Sequence, residues 1–197
     1  DGDFDVYISN YNYTDELYRN TGTTFQVMSS SGLYDSGSGE SACWADYDLD
    51  GDQDLFLAKY MDTDRLFRNT GGNFTDVGPI AGLDDDGGGL GAAWADMDDD
   101  GDPDLCVTSY GGQNRIYRND LNNGNNWLKV SLEGFTTNVS AIGARVRVVA
   151  GTLVQTQDVG GRNGYLSQNE FVLTFGLGGR TVVDTVVVRW SGGAQDT

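Results

Sequence analysis

Histidine is absent from the 197 residues, and with it go the commonest general base near neutral pH, the commonest transition-metal ligand and every Ser-His or Cys-His nucleophile pair. Two cysteines, Cys43 and Cys106, are too few for a disulfide framework and lack metal-ligand spacing, so they read as buried free thiols. Glutamate is scarce: Glu16, Glu40, Glu133 and Glu170 show no paired arrangement of the kind glycoside hydrolysis needs. No apolar run approaches the ~20 residues of a membrane-spanning helix. Basic side chains are few as well, with 12 Lys and Arg against 30 Asp and Glu, a formal net charge of -18. Such an acidic body makes a poor partner for nucleic acid or an anionic membrane.

Two prolines against 29 glycines, with 38% hydrophobic and 11% aromatic residues, describe a folded chain with many tight turns. An all-β protein follows. The charge is uneven. Residues 1–120 carry 25 acidic and 6 basic side chains, net -19, whereas residues 121–197 carry 5 and 6, net +1. The polar, turn-forming stretch NDLNNGNN lies on that break, which sets the expected boundary between a domain at 1–120 and a second at 121–197.

The first 120 residues repeat. Gly2, Gly51 and Gly101 align at spacings of 49 and 50, and each is followed by a short alternating strand, DVYIS from Asp5, DLFLA from Asp54 and DLCVT from Asp104. Twelve residues beyond those aspartates come LYRN, LFRN and IYRN, then a turn and another strand, then SACWAD or GAAWAD. Each unit offers about four short strands and no helical period, the size of one β-propeller blade, and two complete units with a fragment leave the ring incomplete. Trp44 and Trp94 occupy matched positions and are expected in the core, and Arg19, Arg68 and Arg118 are expected to pair with nearby acids.

The acidic stretches DYDLDGDQD from Asp46 and DMDDDGDPD from Asp96 put five or six carboxylates into nine residues. Positions 1, 3 and 5 can turn oxygens to one centre, the glycine supplies a sharp turn, position 7 offers its carbonyl and position 9 closes the shell. An all-oxygen set of this kind suits Ca²⁺ better than Mg²⁺. An EF-hand also needs a bidentate Glu at position 12, where this chain has Leu57 and Val107. The expected ligands are Asp46, Asp48, Asp50, Asp52 and Asp54, and Asp96, Asp98, Asp100, Asp102 and Asp104. Asp1, Asp3 and Asp5 match only the last part of the motif and are expected to form the weakest site. A chain opening inside a motif reads as a piece of a longer repeat protein, or as a subunit whose first loop a neighbouring chain completes. The run Asp84–Asp86 lacks the ligand spacing and reads as a solvated loop.

The pattern D-x-D-x-D-G-x-x-D, a strand, LYRN-T-G and F-x-D-V resembles the FG-GAP or VCBS repeats of integrin α-subunit propellers and many secreted bacterial proteins. The segments NWLKVSLEG (from Asn126), SAIGARVRVVAG (from Ser140), GRNGYLSQNE (from Gly161), LTFGLG (from Leu173) and VDTVVVRWSGG (from Val183) resemble the ASPIC/UnbV domain, as in cartilage acidic protein and its bacterial relatives. The resemblance implies a calcium-binding extracellular or cell-surface module without enzyme activity. Adhesion, matrix, surface or filament assembly would be its role, with other extracellular proteins or neighbouring copies of itself as partners. The alternative is a glycan-binding module of a secreted carbohydrate-active protein, using exposed Tyr11, Tyr13 and Tyr60. Acceptor triplets for N-glycosylation begin at Asn12, Asn73 and Asn138, so a glycoprotein is expected from a eukaryotic source.

Overall fold

The computed structural model describes residues 4–83, 88–135, 138–161 and 163–197. Asp1, Asp3 and the Asp84–Asp86 run lie outside them. The described residues are all-β apart from one turn of helix. Its middle blade is a four-stranded antiparallel meander, and the strands flanking it in sequence build three-stranded sheets on either side.

The first sheet takes β1 (Val6–Ile8), β2 (Glu16–Asn20) and β3 (Phe25–Val27). The middle blade takes β4 (Gly39–Ala45), β5 (Asp54–Lys59), β6 (Arg65–Thr70) and β7 (Asn73–Asp76) in that order. After the short helix α1 (Gly78–Ala81), which ends on left-handed Gly82, come β8 (Gly89–Ala95), β9 (Asp104–Ser109) and β10 (Arg115–Tyr117). Leu57 and Val107 sit inside β5 and β9, which removes the EF-hand geometry.

The blade is phased one strand away from the repeat. Aligning on the loop glycines makes β4 the last strand of a unit, yet β4 hydrogen-bonds across the acidic loop to β5, with Ala45 opposite Asp54. Ala95 faces Asp104 in the same way. Each acidic loop is therefore the connection of a hairpin. Strand β5 is buried along its whole length because the blade packs on both faces. One face meets the first sheet through Leu17, Leu33, Leu55, Leu57 and Phe67, and the other meets the third through Phe56, Ala58, Leu66, Trp94, Leu105 and Val107. Trp94 is core, edge-on to Phe56 at 6.4 Å, and Trp44 is half-buried between Tyr7 and Phe74. Cys43 is buried and Cys106 half-buried, both free.

After β10 the chain leaves the repeats. It forms β11 (Asn126–Val130), β12 (Arg145–Ala150), β13 (Leu153–Asp158), β14 (Leu173–Gly178), β15 (Thr185–Arg189) and β16 (Gln195–Asp196). These make a pair, β11-β14, and a sheet ordered β13-β12-β15-β16. Their core, with Val146, Val148, Phe175 and Leu177 at its centre, draws only on residues from Leu128 onward.

Burial grades the sheets. Strands β1 and β3 are largely exposed, whereas β5 is fully buried. Amides from Val6 to Asn20 are expected to exchange hydrogen faster than those from Leu55 to Asn69, since local opening is cheapest where little apolar surface is covered. Equal protection in a dilute sample would contradict this.

Candidate metal centres in the acidic loops

The two acidic hairpin loops share one backbone. Their fourth residues, Leu49 and Asp99, have φ of 59° and 61°, and Gly51 and Gly101 have φ of 105° and 107°. A left-handed Leu is strained, whereas Asp is one of the residues that adopts this region more readily. The glycines are required twice over, by that φ and by close neighbours. A Cβ on Gly51 would lie 3.0 Å from Leu153, and one on Gly101 would enter the Trp127 ring.

Side-chain carboxylates organise each turn from within. Asp46 Oδ2 accepts from the Gly51 amide at 2.9 Å, Asp48 Oδ1 from Asp50 at 3.3 Å and Asp50 Oδ1 from Asp52 at 2.9 Å. In the second loop Asp96 accepts from Gly101 at 2.8 Å and from Asp100 at 3.2 Å, and Asp100 from Asp102 at 3.3 Å. Oxygens of Asp46, Asp48 and Asp50 gather within 4.8 Å of one another, as do those of Asp96, Asp98 and Asp104. Asp46 Oδ1 and Asp102 Oδ1 are buried with no hydrogen-bond partner. Buried orphan carboxylate oxygens are rare and costly; Asp46 belongs to the first cluster, where a cation would satisfy it, whereas Asp102 is in the second loop but not among the three clustered acids. The donor set fits a hard, oxygen-seeking ion.

Asp54 and Asp104 hold the blades as well as facing the loops. Asp54 accepts from Tyr47 at 3.0 Å and from the Asn69 amide at 2.7 Å. Asp104 accepts from Met97 at 2.8 Å and from Asn119 at 2.7 Å. Asp5 does the same to Asn20 at 2.7 Å. The asparagine that ends each LYRN-type motif is thus tied to the aspartate fifteen positions earlier. Asp52 Oδ2 accepts from Gly71 at 2.7 Å, and Asp98 lies 3.9 Å from Arg118, which also pairs with Asp120.

The first aspartates of the two loops differ in direction, while other carboxyls in both loops are raised. Burial, then Asp50 and Asp48, push the Asp46 carboxyl up to about 8, and burial, Asp48 and Asp46 push Asp54 up to about 9. In the second loop burial, Asp100 and Asp104 raise Asp102 to about 7. Burial would raise Asp96 too, but the Lys129 ammonium and the Gly101 amide hold it below the usual carboxylate range.

A pH dependence follows for the metal-stripped chain. Unfolded carboxyls lose their protons near pH 4, whereas Asp46 and Asp54 keep theirs in the folded state to about pH 8 and 9. Between these limits the folded state binds more protons, so stability falls as pH rises. The stripped chain is expected to melt at a higher temperature at pH 5.5 than at 8.5, and a lower melt at 5.5 would contradict this.

The C-terminal β domain sits directly on both loops. Asn123 and Asn125 donate to the Asp48 carbonyl, the latter at 2.9 Å, and the Gly178 amide donates to Leu49 O at 2.9 Å. Gly176 abuts Asp46 so closely that a Cβ there would collide with the carboxylate and with Leu49. On the second loop Glu170 accepts from the Asp96 amide at 2.9 Å and Asn169 from Trp94 at 3.0 Å. Sequence reasoning missed Asn123, Asn125, Lys129, Asn169 and Glu170. Their only signal was their place in the linker and in the WLKV and SQNE segments.

Hairpin loops of alternating carboxylates on stacked antiparallel blades define an acidic-loop repeat protein of propeller type. The family profile described as FG-GAP-like repeat matches residues 1–57 and 46–107, and that described as ASPIC and UnbV matches residues 134–197. The chain belongs to the FG-GAP-like repeat family and carries an ASPIC and UnbV domain after the repeats. Such repeats are typical of extracellular or surface proteins and commonly bind calcium. A search of curated proteins found none that matches the chain. Among the described residues no helix is long and apolar enough to cross a membrane.

Proposed function

We propose that the chain is a calcium-stabilised extracellular module without enzyme activity, serving adhesion or assembly by presenting a repeat surface whose loops are set by bound Ca²⁺. The observation that carries this is the orphaned, buried oxygen in each complete loop, Asp46 Oδ1 and Asp102 Oδ1, beside a cluster of further carboxylates. Residues 46–54 and 96–104 would hold one ion each. Calcium would offset the excess negative charge of the clustered carboxylates and bind at the affinities of extracellular modules, ~10⁻⁴ to 10⁻³ M. Carboxylates wrapped on a cation stay ionised and make poor general acids, which supports a binding role over a catalytic one. Elemental analysis of protein dialysed against millimolar calcium tests the reading. Two calcium ions per chain are expected, and none would remove it. The partner class, another extracellular protein or a further copy of the chain, is separated by negative-stain microscopy, in which self-assembly gives fibres.

A second reading, glycan binding, is favoured by one feature. Tyr11, Tyr60 and Tyr110 stand six residues beyond Asp5, Asp54 and Asp104 and form a row across the three sheets, with ring centroids 6.2 and 5.6 Å apart. Tyr11 and Tyr110 are exposed, as is neighbouring Tyr13. Aromatic faces of this kind can stack on sugars. Alanine at Tyr11, Tyr13 and Tyr60 would abolish signal on a glycan array under this reading, and unchanged signal would remove it.

A further inference from the structure

The two loops match in ligand spacing and backbone, yet only the second has a protein ammonium in contact with its first aspartate. Lys129, on β11 of the C-terminal domain, places its ammonium on Asp96 Oδ2. The Asp96 side chain is fully buried, whereas that of Lys129 keeps 21% of its surface exposed. The approach is fixed by its neighbours: Trp127 lies over Gly101, Lys129 runs 6.0 Å from that ring, and Glu170 holds the Asp96 amide. The equivalent acid of the first loop, Asp46, faces the backbone of Gly176. Among the described residues no ammonium or guanidinium pairs with Asp46, and its Oδ1 has no partner.

A second difference lies at position 4 of the loops. The first loop has buried Leu49 there, and the second has Asp99, 96% exposed, with Oδ1 3.8 Å from the Lys129 ammonium. Asp99 is not at a ligand position. It offers the ammonium a place at the rim, one step outward from Asp96.

We propose that Lys129 is the resident cation of the second loop and sets its calcium affinity, so that a calcium ion entering there must displace the ammonium from Asp96 toward Asp99. This rests on reading the loops as calcium sites. A lysine ammonium is a compact point charge on a flexible stem, suited to leaving one carboxylate for another. Two cations cannot share one carboxylate oxygen without mutual repulsion, so the second loop binds more weakly than the first. Without calcium the first loop has only the attraction of Arg68 for Asp48 and Asp50, whereas the second keeps an ammonium on Asp96 itself. The first loop is therefore the one whose order depends on calcium, and the second fills only as calcium rises further.

Calorimetric titration of calcium into the metal-stripped 197-residue chain tests this, comparing the natural sequence with Lys129→Met and Lys129→Arg, each first checked for folding by circular dichroism. The natural chain is expected to show one stronger and one weaker site, at least tenfold apart. Lys129→Met is expected to strengthen the weaker site tenfold or more and leave the stronger one unchanged, while Lys129→Arg, which keeps the charge, leaves it weak. Two equal sites in the natural chain overturn the proposal whether or not the variants fold. So does a weaker site that Lys129→Met leaves unchanged, or that Lys129→Arg strengthens as much as Lys129→Met. No calcium heat in any of the three chains removes the calcium reading itself, and the proposal with it, an outcome distinct from two-site binding indifferent to Lys129.

Discussion

Stripping calcium from the chain is expected to lower its melting temperature by roughly 10 °C. In about 10 mM calcium a site of Kd ~10⁻⁴ M is held a hundredfold above its Kd and stabilises the fold by about 3 kcal/mol, and for a chain of this size each kcal/mol moves the melt by roughly 2–4 °C. The cause is specific to the loops. Without an ion, Asp46, Asp48 and Asp50 crowd within 4.8 Å of one another, and burial and the neighbouring charges raise Asp46 and Asp54. Asp50→Ala separates this from general ionic effects, because its sign depends on calcium. In millimolar calcium the variant is expected to melt several degrees below the natural chain. In chelator it is expected to melt no lower, since removing one carboxylate relieves the repulsion on Asp46. Asp85→Ala, outside the ligand spacing, is expected to change neither melt. An identical melt with and without calcium contradicts the assignment.

Lys59→Met is expected to destabilise the chain by about 3 kcal/mol, the lower end of what breaking a buried ion pair costs. Lys59, at the end of β5, is 1% exposed and its ammonium lies 2.9 Å from Asp35 and 2.6 Å from Asp62. Burial would lower the Lys59 pKa, but Asp62 and Asp35 hold it above its ordinary value. Asp35 is also buried, with Arg65 Nε at 2.7 Å as its remaining partner after the substitution, and that partner limits the loss. Replacing both buried partners, Lys59→Met with Asp35→Leu, is expected to recover part of the stability, because Arg65 still pairs with Asp76 at 2.6 Å and Asp62 is half-exposed. Urea melts of the two variants measure this. A single variant within 1 kcal/mol of the natural chain would show that the pair contributes little.

The loops were legible because their chemistry is local. Aspartates at alternate positions around a glycine mark a tight turn held by its own carboxylates, and the left-handed Gly51 and Gly101 bear out that turn. The strands after each loop were legible from alternation, and DLFLA, apolar at four of five positions, became the fully buried β5. Blade phase was not legible. Self-similarity fixes the length of a repeat but not which neighbours hydrogen-bond, so the pairing of β4 with β5 appears only when the hairpin closes over the loop. Lys59 and Asp35, 24 positions apart, look like ordinary surface charges in the sequence. Lys129 and Glu170 touch the second loop across 33 and 74 positions. Contacts of that reach depend on how the C-terminal domain docks, and no local pattern encodes them. The recurring asparagine in LYRN, LFRN and IYRN did carry a signal, the constant distance of fifteen from Asp5, Asp54 and Asp104, and its meaning emerges in the amide bonds to those carboxylates.

The most direct test of the calcium assignment is an anomalous difference map from crystals grown in calcium. Two peaks are expected, one inside residues 46–54 and one inside 96–104, each with carboxylate and carbonyl oxygens at ~2.3–2.6 Å. Both loops ordered with no anomalous peak at millimolar calcium, and water or a lysine ammonium in its place at each, would contradict the account.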